Sequence, residues 1–286
     1  MPKKLIRNNL NVPQRADVLL ANAYPQYSRA ALAKLFTQSE VTKDDNPIKP
    51  GDKIQPGKAI KADIKNLQKQ AEAIDMPIIY EDKNVIVVDK PTGVISHARG
   101  RYWDEASVAS FVRSKVAGMD GERAGIVHRL DRATSGVMIC AKNPDTLSFL
   151  QKQFSIHKVK KAYTAIVKGK IEPKEAIIEV PIGRNPKKPQ TFRPDPEGKK
   201  ATTSYKVINE GSIYSLLELK PATGRTHQLR VHLKYINHPI LGDELYNGTP
   251  ADRLFLHATS LEITLPGGER KVFLSPLPKQ FKEALK

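Results

Sequence analysis

Short apolar runs, each cut by turn-forming residues, recur along most of the chain, and only a few of them keep a helical period. Val85-Ile86-Val87-Val88 is β-branched throughout and predicts a buried strand. Tyr80-Glu81-Asp82-Lys83-Asn84 predicts the turn before it, and Lys90-Pro91-Thr92-Gly93 ends it. Ile126-Val127 and residues 137–141 predict two more short buried strands around a polar stretch. Residues 160–167 read as a strand, and residues 201–208 and 214–219 as an antiparallel pair joined at Asn209-Glu210-Gly211. Residues 261–265 and 271–274 read as closing strands. Helical spacing appears in four places. Residues 15–21 and 28–36 predict two helices near the start, the second capped by Ser28 and burying Leu32, Leu35 and Phe36. Residues 145–157 follow the start signal Asn143-Pro144 and align Leu147, Leu150 and Phe154. A last helix, with Thr226 as its cap, would bury Leu229, Leu233 and Ile236.

Residues 1–65 thus form a small unit of their own. Residues 66–77 form a polar linker, and residues 78–286 a larger domain in which strands dominate. The chain contains no internal repeats. Composition adds a partner class. Lys and Arg number 47 against 30 Asp and Glu, a net charge of +17, which suggests a polyanion. A basic amphipathic helix with aromatic anchors is missing, so nucleic acid is expected rather than a membrane surface. No apolar run approaches the ~20 residues that span a bilayer. The basic start, Met1-Pro2-Lys3-Lys4, leads into no long apolar run, which argues against a secretory signal. A cytoplasmic protein is expected. The one cysteine, Cys140, sits inside an apolar run and reads as a core residue.

Candidate chemistry gathers in Gly125-Ile126-Val127-His128-Arg129-Leu130-Asp131-Arg132-Ala133-Thr134-Ser135-Gly136. Asp131 lies between Arg129 and Arg132, where cations favour the ionised carboxylate, a possible nucleophile. On residue chemistry alone the stretch reads first as a surface turn with an ion pair and only second as a reactive site. A second stretch, Pro221-Ala222-Thr223-Gly224-Arg225-Thr226-His227-Gln228-Leu229-Arg230, places Arg225 just before a helix, where backbone amides also favour an anion, and Arg230 near the edge of its buried stripe. Residues 184–200 read as an exposed basic loop suited to phosphate contacts, with Arg193, Lys199 and Lys200. Arg15, Arg29 and Lys34 are left on the surface of the first unit. A metal centre is disfavoured, because His227 and His232 are five apart and no cysteine joins them. Ser135 lacks the flanking glycines of a nucleophile elbow, and no phosphate-cradling Gly-x-x-x-x-Gly-Lys loop appears.

The two stretches, in this order and about a hundred residues apart, resemble the signature of the RluA family of RNA pseudouridine synthases. Lys161-Ala162-Tyr163 matches the family's Lys-x-Tyr. Asp89-Lys90-Pro91-Thr92-Gly93 and His97-Ala98 resemble its opening, with Asp89 for the usual Asn and Ala98 for the usual Pro, so Asp89 and His97 are read as packing residues. The resemblance implies an α+β fold with a mixed, largely antiparallel sheet and a central cleft. It implies a reaction that breaks the bond from ribose to N1 of uracil, turns the base and rejoins it to the ribose through carbon 5. Nothing enters or leaves, so no cofactor is required. Asp131 would be the catalytic carboxylate, Arg230 its ion-pair partner, and Tyr163 the residue that stacks on the flipped uracil or assists a proton transfer. Arg129 would fill the space the base vacates, offsetting part of the few kcal/mol that flipping costs. Roughly the first quarter resembles a small α/β RNA-binding domain named after a small-subunit ribosomal protein, here S-four-like. Arg15, Arg29 and Lys34 would then touch RNA. The expected partner is RNA, first the large-subunit ribosomal RNA and otherwise transfer RNA, bound by a monomer. A non-catalytic RNA-binding protein and an RNA or nucleoside hydrolase remain open.

Overall fold

A computed structural model of the chain describes residues 4–68, 74–98, 105–119, 123 and 125–285. The chain divides into two compact units, Met1–Ala73 with Ala98–Ala106, and Ile74–His97 with Ser107–Lys286. Among the described residues no helix is long and apolar enough to cross a membrane.

The first unit contains β1 (Lys4–Arg7), β2 (Gln14–Arg15), α1 (Ala16–Ala23), α2 (Arg29–Thr37), β3 (Val41–Lys43), β4 (Asn46–Pro47), β5 (Lys53–Ile54), β6 (Ala59–Ala62) and α3 (Lys65–Gln68). Its main sheet runs β1-β6-β3-β4. Ser28 caps α2 as its side-chain oxygen accepts the Ala31 N–H at 3.2 Å. Leu32, Leu35 and Phe36 pack with Leu20, Ile54 and Ile60 in the core of this unit. The linker expected at 66–77 is only partly free chain. Leu67 lies on α3 and is buried in the first core, and Met76 is buried in the second. Apolar burial claims both ends of a segment whose average composition is polar. Residues 69–73 of that segment lie outside the described residues.

The second unit is built on a nine-stranded sheet. Its elements are β7 (Ile78–Glu81), β8 (Val85–Lys90), α4 (Val108–Val112), β9 (Ser135–Ala141), α5 (Pro144–Ser155), β10 (Lys160–Lys168), β11 (Glu175–Glu179), β12 (Ile182–Arg184), β13 (Phe192–Pro194), β14 (Thr202–Glu210), β15 (Tyr214–Pro221), α6 (Gln228–Tyr235), β16 (Leu256–Thr264), β17 (Arg270–Leu274) and α7 (Lys279–Glu283). The sheet order is β11-β14-β15-β10-β16-β9-β8-β7, with β17 also on β16. β12 and β13 form a separate hairpin. The sheet's strand pairs are antiparallel except β9 with β16.

That parallel contact lasts two residues, Ser135 with His257 and Gly136 with Ala258, before β17 takes over the same edge of β16 from Ser260 onward. Gly136 is required at the crossing. Its φ is +114°, and an added Cβ would lie 2.2 Å from the Ala258 carbonyl oxygen. Beneath it runs a buried chain of polar groups. Arg253 donates to Ser135 Oγ, which lies 2.8 Å from His257 Nδ1; His257 Nε2 lies 3.0 Å from Ser275 Oγ, which donates to Asp89 at 2.8 Å. Asp89 is thus the acceptor that ends this chain. Apolar cores lie on both sides of the crossing, and Tyr163 packs against both. The residues that follow the sheet's first core and precede Gly136 are therefore displayed at a seam.

Candidate active site

β9 forms as its apolar run predicts, but Ile126-Val127 does not form a strand. Ile126 makes one bridge to Cys140. The next β9 donor, the Ile139 N–H, goes to His128 Nε2 at 3.1 Å instead of a backbone carbonyl. The imidazole takes the place of a strand neighbour and ends the pairing. It stacks on Phe154 of α5 with ring centres 4.6 Å apart, and burial pushes its pKa down to about 3, helped by Lys161. His128 therefore acts as a neutral acceptor. Cys140 is buried, and burial pushes its thiol up to about 12, so it is an inert core residue.

The segment after β8 holds the Asp131 turn. Ser96 Oγ donates to the Leu130 carbonyl at 2.8 Å and accepts the Leu130 N–H at 3.0 Å. Thr92 Oγ1 donates to the Ala133 carbonyl, and the Gly93 N–H to the Arg132 carbonyl. Lys90 is fully buried and donates to the carbonyls of Pro91, Val94 and Arg132 at 3.0, 2.6 and 3.2 Å. Burial pushes its pKa down to about 7, against the attraction of Asp131. Lys90→Met would leave these carbonyls without their donor. It is expected to cost about 2–3 kcal/mol of stability, read from the urea midpoint; an unchanged midpoint would show that water replaces the ammonium.

Asp131 lines a cleft of about 100 Å³ together with Arg129, Lys161, Tyr163, Arg225, His227 and Arg230. The structure thus brings the three expected catalytic residues and two of the expected RNA-binding arginines to one place. Tyr163 lies on β10, and its phenol is raised above its usual pKa by burial and by Asp131, so it stays protonated. Burial lowers the pKa of Lys161, whose ammonium approaches the Thr223 carbonyl at 3.5 Å.

The expected Arg230–Asp131 ion pair does not form. The Arg230 guanidinium makes a two-pronged contact with Asp243, Nε to Oδ2 at 2.8 Å and a terminal nitrogen to Oδ1 at 2.7 Å. Both side chains are buried. A carboxylate with the matching fork geometry, wholly out of water, outcompetes the partly exposed Asp131. Burial alone would lower the Arg230 pKa, but Asp243 raises it above the usual value, with a smaller contribution from Asp131. Among the described residues, Asp131 has an ion-pair partner in His227, with Nε2 at 3.9 Å from Oδ2. Thr226 does not cap α6 either. His227 takes that position in a left-handed conformation, φ +57°, and Gln228 secures the turn by accepting from the Arg225 N–H and the Thr223 hydroxyl.

Residues 184–200 are not simply a loop. Part of the segment is the β12–β13 hairpin, whose Ile182 and Phe192 pack with Val231 and Tyr246. Arg193, Lys199 and Lys200 are exposed. Arg225 Nε donates to the Lys200 carbonyl at 3.0 Å, tying this segment to the cleft. In the first unit, Arg15 bonds Asp17 at 2.9 Å and Arg29 lies 3.5 Å from the same carboxylate, while both remain largely exposed. Sequence reading missed Lys90, His227, Asp243 and Tyr246. Asp243 carried the clearest signal, the first of two adjacent acids, Asp243-Glu244, after Pro239-Ile240-Leu241-Gly242 in a basic chain.

Among the described residues the cleft thus presents one carboxylate, Asp131, beside Tyr163 and the cations Arg129, Lys161, Arg225 and Arg230, a set suited to an enzyme that handles a polyanionic substrate. Residues 84–235 match the family model described as RNA pseudouridylate synthase. The chain is 46% identical over 219 residues to the ribosomal large subunit pseudouridine synthase D of Borreliella burgdorferi, covering 73% of this chain and 67% of that protein. It is 36% identical over 280 residues to the protein of the same description from Nitrosomonas europaea, covering 92% and 81%. Among solved structures it is similar to human RNA Pseudouridylate Synthase Domain Containing 1, with a TM-score of 0.61 and 27% identity over 74% of this chain and 86% of that one. The chain belongs to the RNA pseudouridylate synthase family and is an isomerase acting on RNA.

Proposed function

We propose that the chain isomerises specific uridines of large-subunit ribosomal RNA, with Asp131 as the reacting carboxylate. The observation that carries this is that, among the described residues, Asp131 is the one carboxylate lining the cleft. Its relatives in Borreliella burgdorferi and Nitrosomonas europaea, described as large-subunit enzymes, support the choice of RNA. The uridine leaves its stack and enters the cleft, Tyr163 packs on the uracil, and Arg129 at the mouth takes the vacated space. Asp131 assists cleavage of the bond to N1 and the rejoining at carbon 5. Arg193, Lys199, Lys200 and Arg225 contact the flanking phosphates. The test is a map of pseudouridines in cellular RNA with and without the gene. Loss of sites in large-subunit ribosomal RNA, restored by the wild type and not by Asp131→Asn, is expected. Unchanged ribosomal sites with lost transfer RNA sites would overturn the choice of substrate.

The first unit is read as an S-four-like RNA-binding module whose Arg15, Arg29 and Lys34 hold RNA without joining the chemistry. Arg29→Ala is therefore expected to weaken RNA binding and reduce its salt slope by about one. The single-turnover rate at saturating RNA should stay at the wild-type value. An unchanged salt slope would remove Arg29 from the interface.

A further inference from the structure

With Arg230 committed to Asp243, another group must fix the carboxylate of Asp131 in the cleft. His227 is placed for it. Its backbone is left-handed, φ +57°, a conformation uncommon for a side-chain-bearing residue and retained where the surroundings impose it. The ring is held edge-on between Phe192 and Tyr246, each with its centre 5.6 Å away. One ring nitrogen, Nε2, faces Asp131 Oδ2 at 3.9 Å. The other, Nδ1, lies 2.7 Å from the Tyr246 hydroxyl.

The hydroxyl decides where the imidazole carries its hydrogen. Tyr246 is 3% exposed, and its oxygen already accepts the Phe192 N–H at 2.9 Å. Its own hydrogen needs an acceptor, and among the described residues Nδ1 is the one within bonding distance. If Nδ1 instead carried a hydrogen, the phenol oxygen would receive two N–H donors while its hydrogen stayed buried and unpaired, at a cost of about 1–3 kcal/mol. The phenol therefore donates to Nδ1, and the hydrogen of the neutral imidazole sits on Nε2. Two further facts agree. Burial keeps His227 below its usual pKa, against the pull of Asp131, and burial pushes the Tyr246 hydroxyl up to about 12.

We propose that His227 is the positioning residue for Asp131: its Nε2–H, fixed by the Tyr246 hydroxyl, donates to the carboxylate and aims it at the uridine. This rests on Asp131 being the reacting carboxylate. The 3.9 Å separation is longer than a hydrogen bond, and RNA entering the cleft closes it. Tyr246 acts one step further out. It also receives the Phe192 N–H of the basic hairpin, so the same hydroxyl joins an RNA-contacting element to the orientation of the carboxylate.

The test has an arm that needs no turnover. In the full chain with ¹⁵N-labelled histidine and no RNA, long-range proton–nitrogen correlation is expected to show the His227 ring protonated at Nε2 alone, the signal being assigned by its loss in His227→Gln. In Tyr246→Phe the hydrogen should redistribute to Nδ1. Wild-type protonation at Nδ1 would overturn the proposal, whatever the activities. In single-turnover assays at saturating RNA, where any change in affinity drops out, Tyr246→Phe and His227→Ala should lose roughly tenfold to a hundredfold. His227→Gln, which keeps an N–H near the position of Nε2, should recover most of that loss. Equal rates in Tyr246→Phe and wild type would also overturn it. Should Asp131→Asn retain activity while the tautomer is as stated, the reading of Asp131 fails and not the tautomer assignment.

Discussion

Asp131→Asn is expected to fold and bind RNA like the wild type and to lose at least about four orders of magnitude in turnover, roughly 5.5 kcal/mol of barrier. The substitution is nearly isosteric, and the turn around it is fixed by backbone bonds from Lys90, Thr92, Gly93 and Ser96 that do not involve the carboxylate. Structure and binding should therefore survive. Chemistry should not, because among the described residues the cleft is lined by no second carboxylate to take over. Tritium released from carbon 5 of labelled uridine in RNA reports the reaction, and filter binding reports affinity. Release by the variant within tenfold of the wild type would remove Asp131 from the chemistry.

Arg230 and Asp243 carry the second large effect, which is first of all structural. Each is buried against the other, so removing one leaves a charge without its partner. Arg230→Ala and Asp243→Asn are each expected to cost about 3–5 kcal/mol of stability, read from urea unfolding. The double variant should lose less than the sum, since its second change removes the orphaned charge. Activity should fall in both single variants, because α6 and the segment before it carry His227 and Arg225 into the cleft. The outcome that would restore a direct Arg230–Asp131 pair is a stable, fully active Asp243→Asn beside an inactive Arg230→Ala.

The elements that sequence made legible are those set by local chemistry. The apolar runs 85–88 and 137–141 form the body of β8 and β9, Ser28 and Asn143 cap α2 and α5, and β14 and β15 pair antiparallel, although Asn209 and Glu210 stay on β14 and the turn begins at Gly211. Asp131 stood out because polar residues between apolar runs mark a displayed turn. What stayed hidden depended on partners far along the chain. Lys90 resembled an ordinary turn lysine until Arg132, 42 residues away, supplied one of its acceptors. Ile126-Val127 had the composition of a strand, and only the His128 ring, bonded to Ile139, shows why the ladder stops. Arg230 was correctly placed in the cleft, but its partner lay 13 residues onward in a non-helical segment, where no periodicity points to it. Asp243 also beats Asp131 as a partner for a reason absent from sequence, its complete burial.

On this reading the cleft isomerises uridine within RNA and does nothing else to the RNA strand. The most direct measurement is nucleoside analysis of a defined ribosomal RNA fragment after incubation with the full-length protein and no added cofactor. The account predicts that uridine lost equals pseudouridine gained, with the strand intact and no free uracil. Free uracil or a shortened strand would mean hydrolysis, and unchanged uridine with tight binding would mean a protein that holds RNA without altering it; either result would contradict the account.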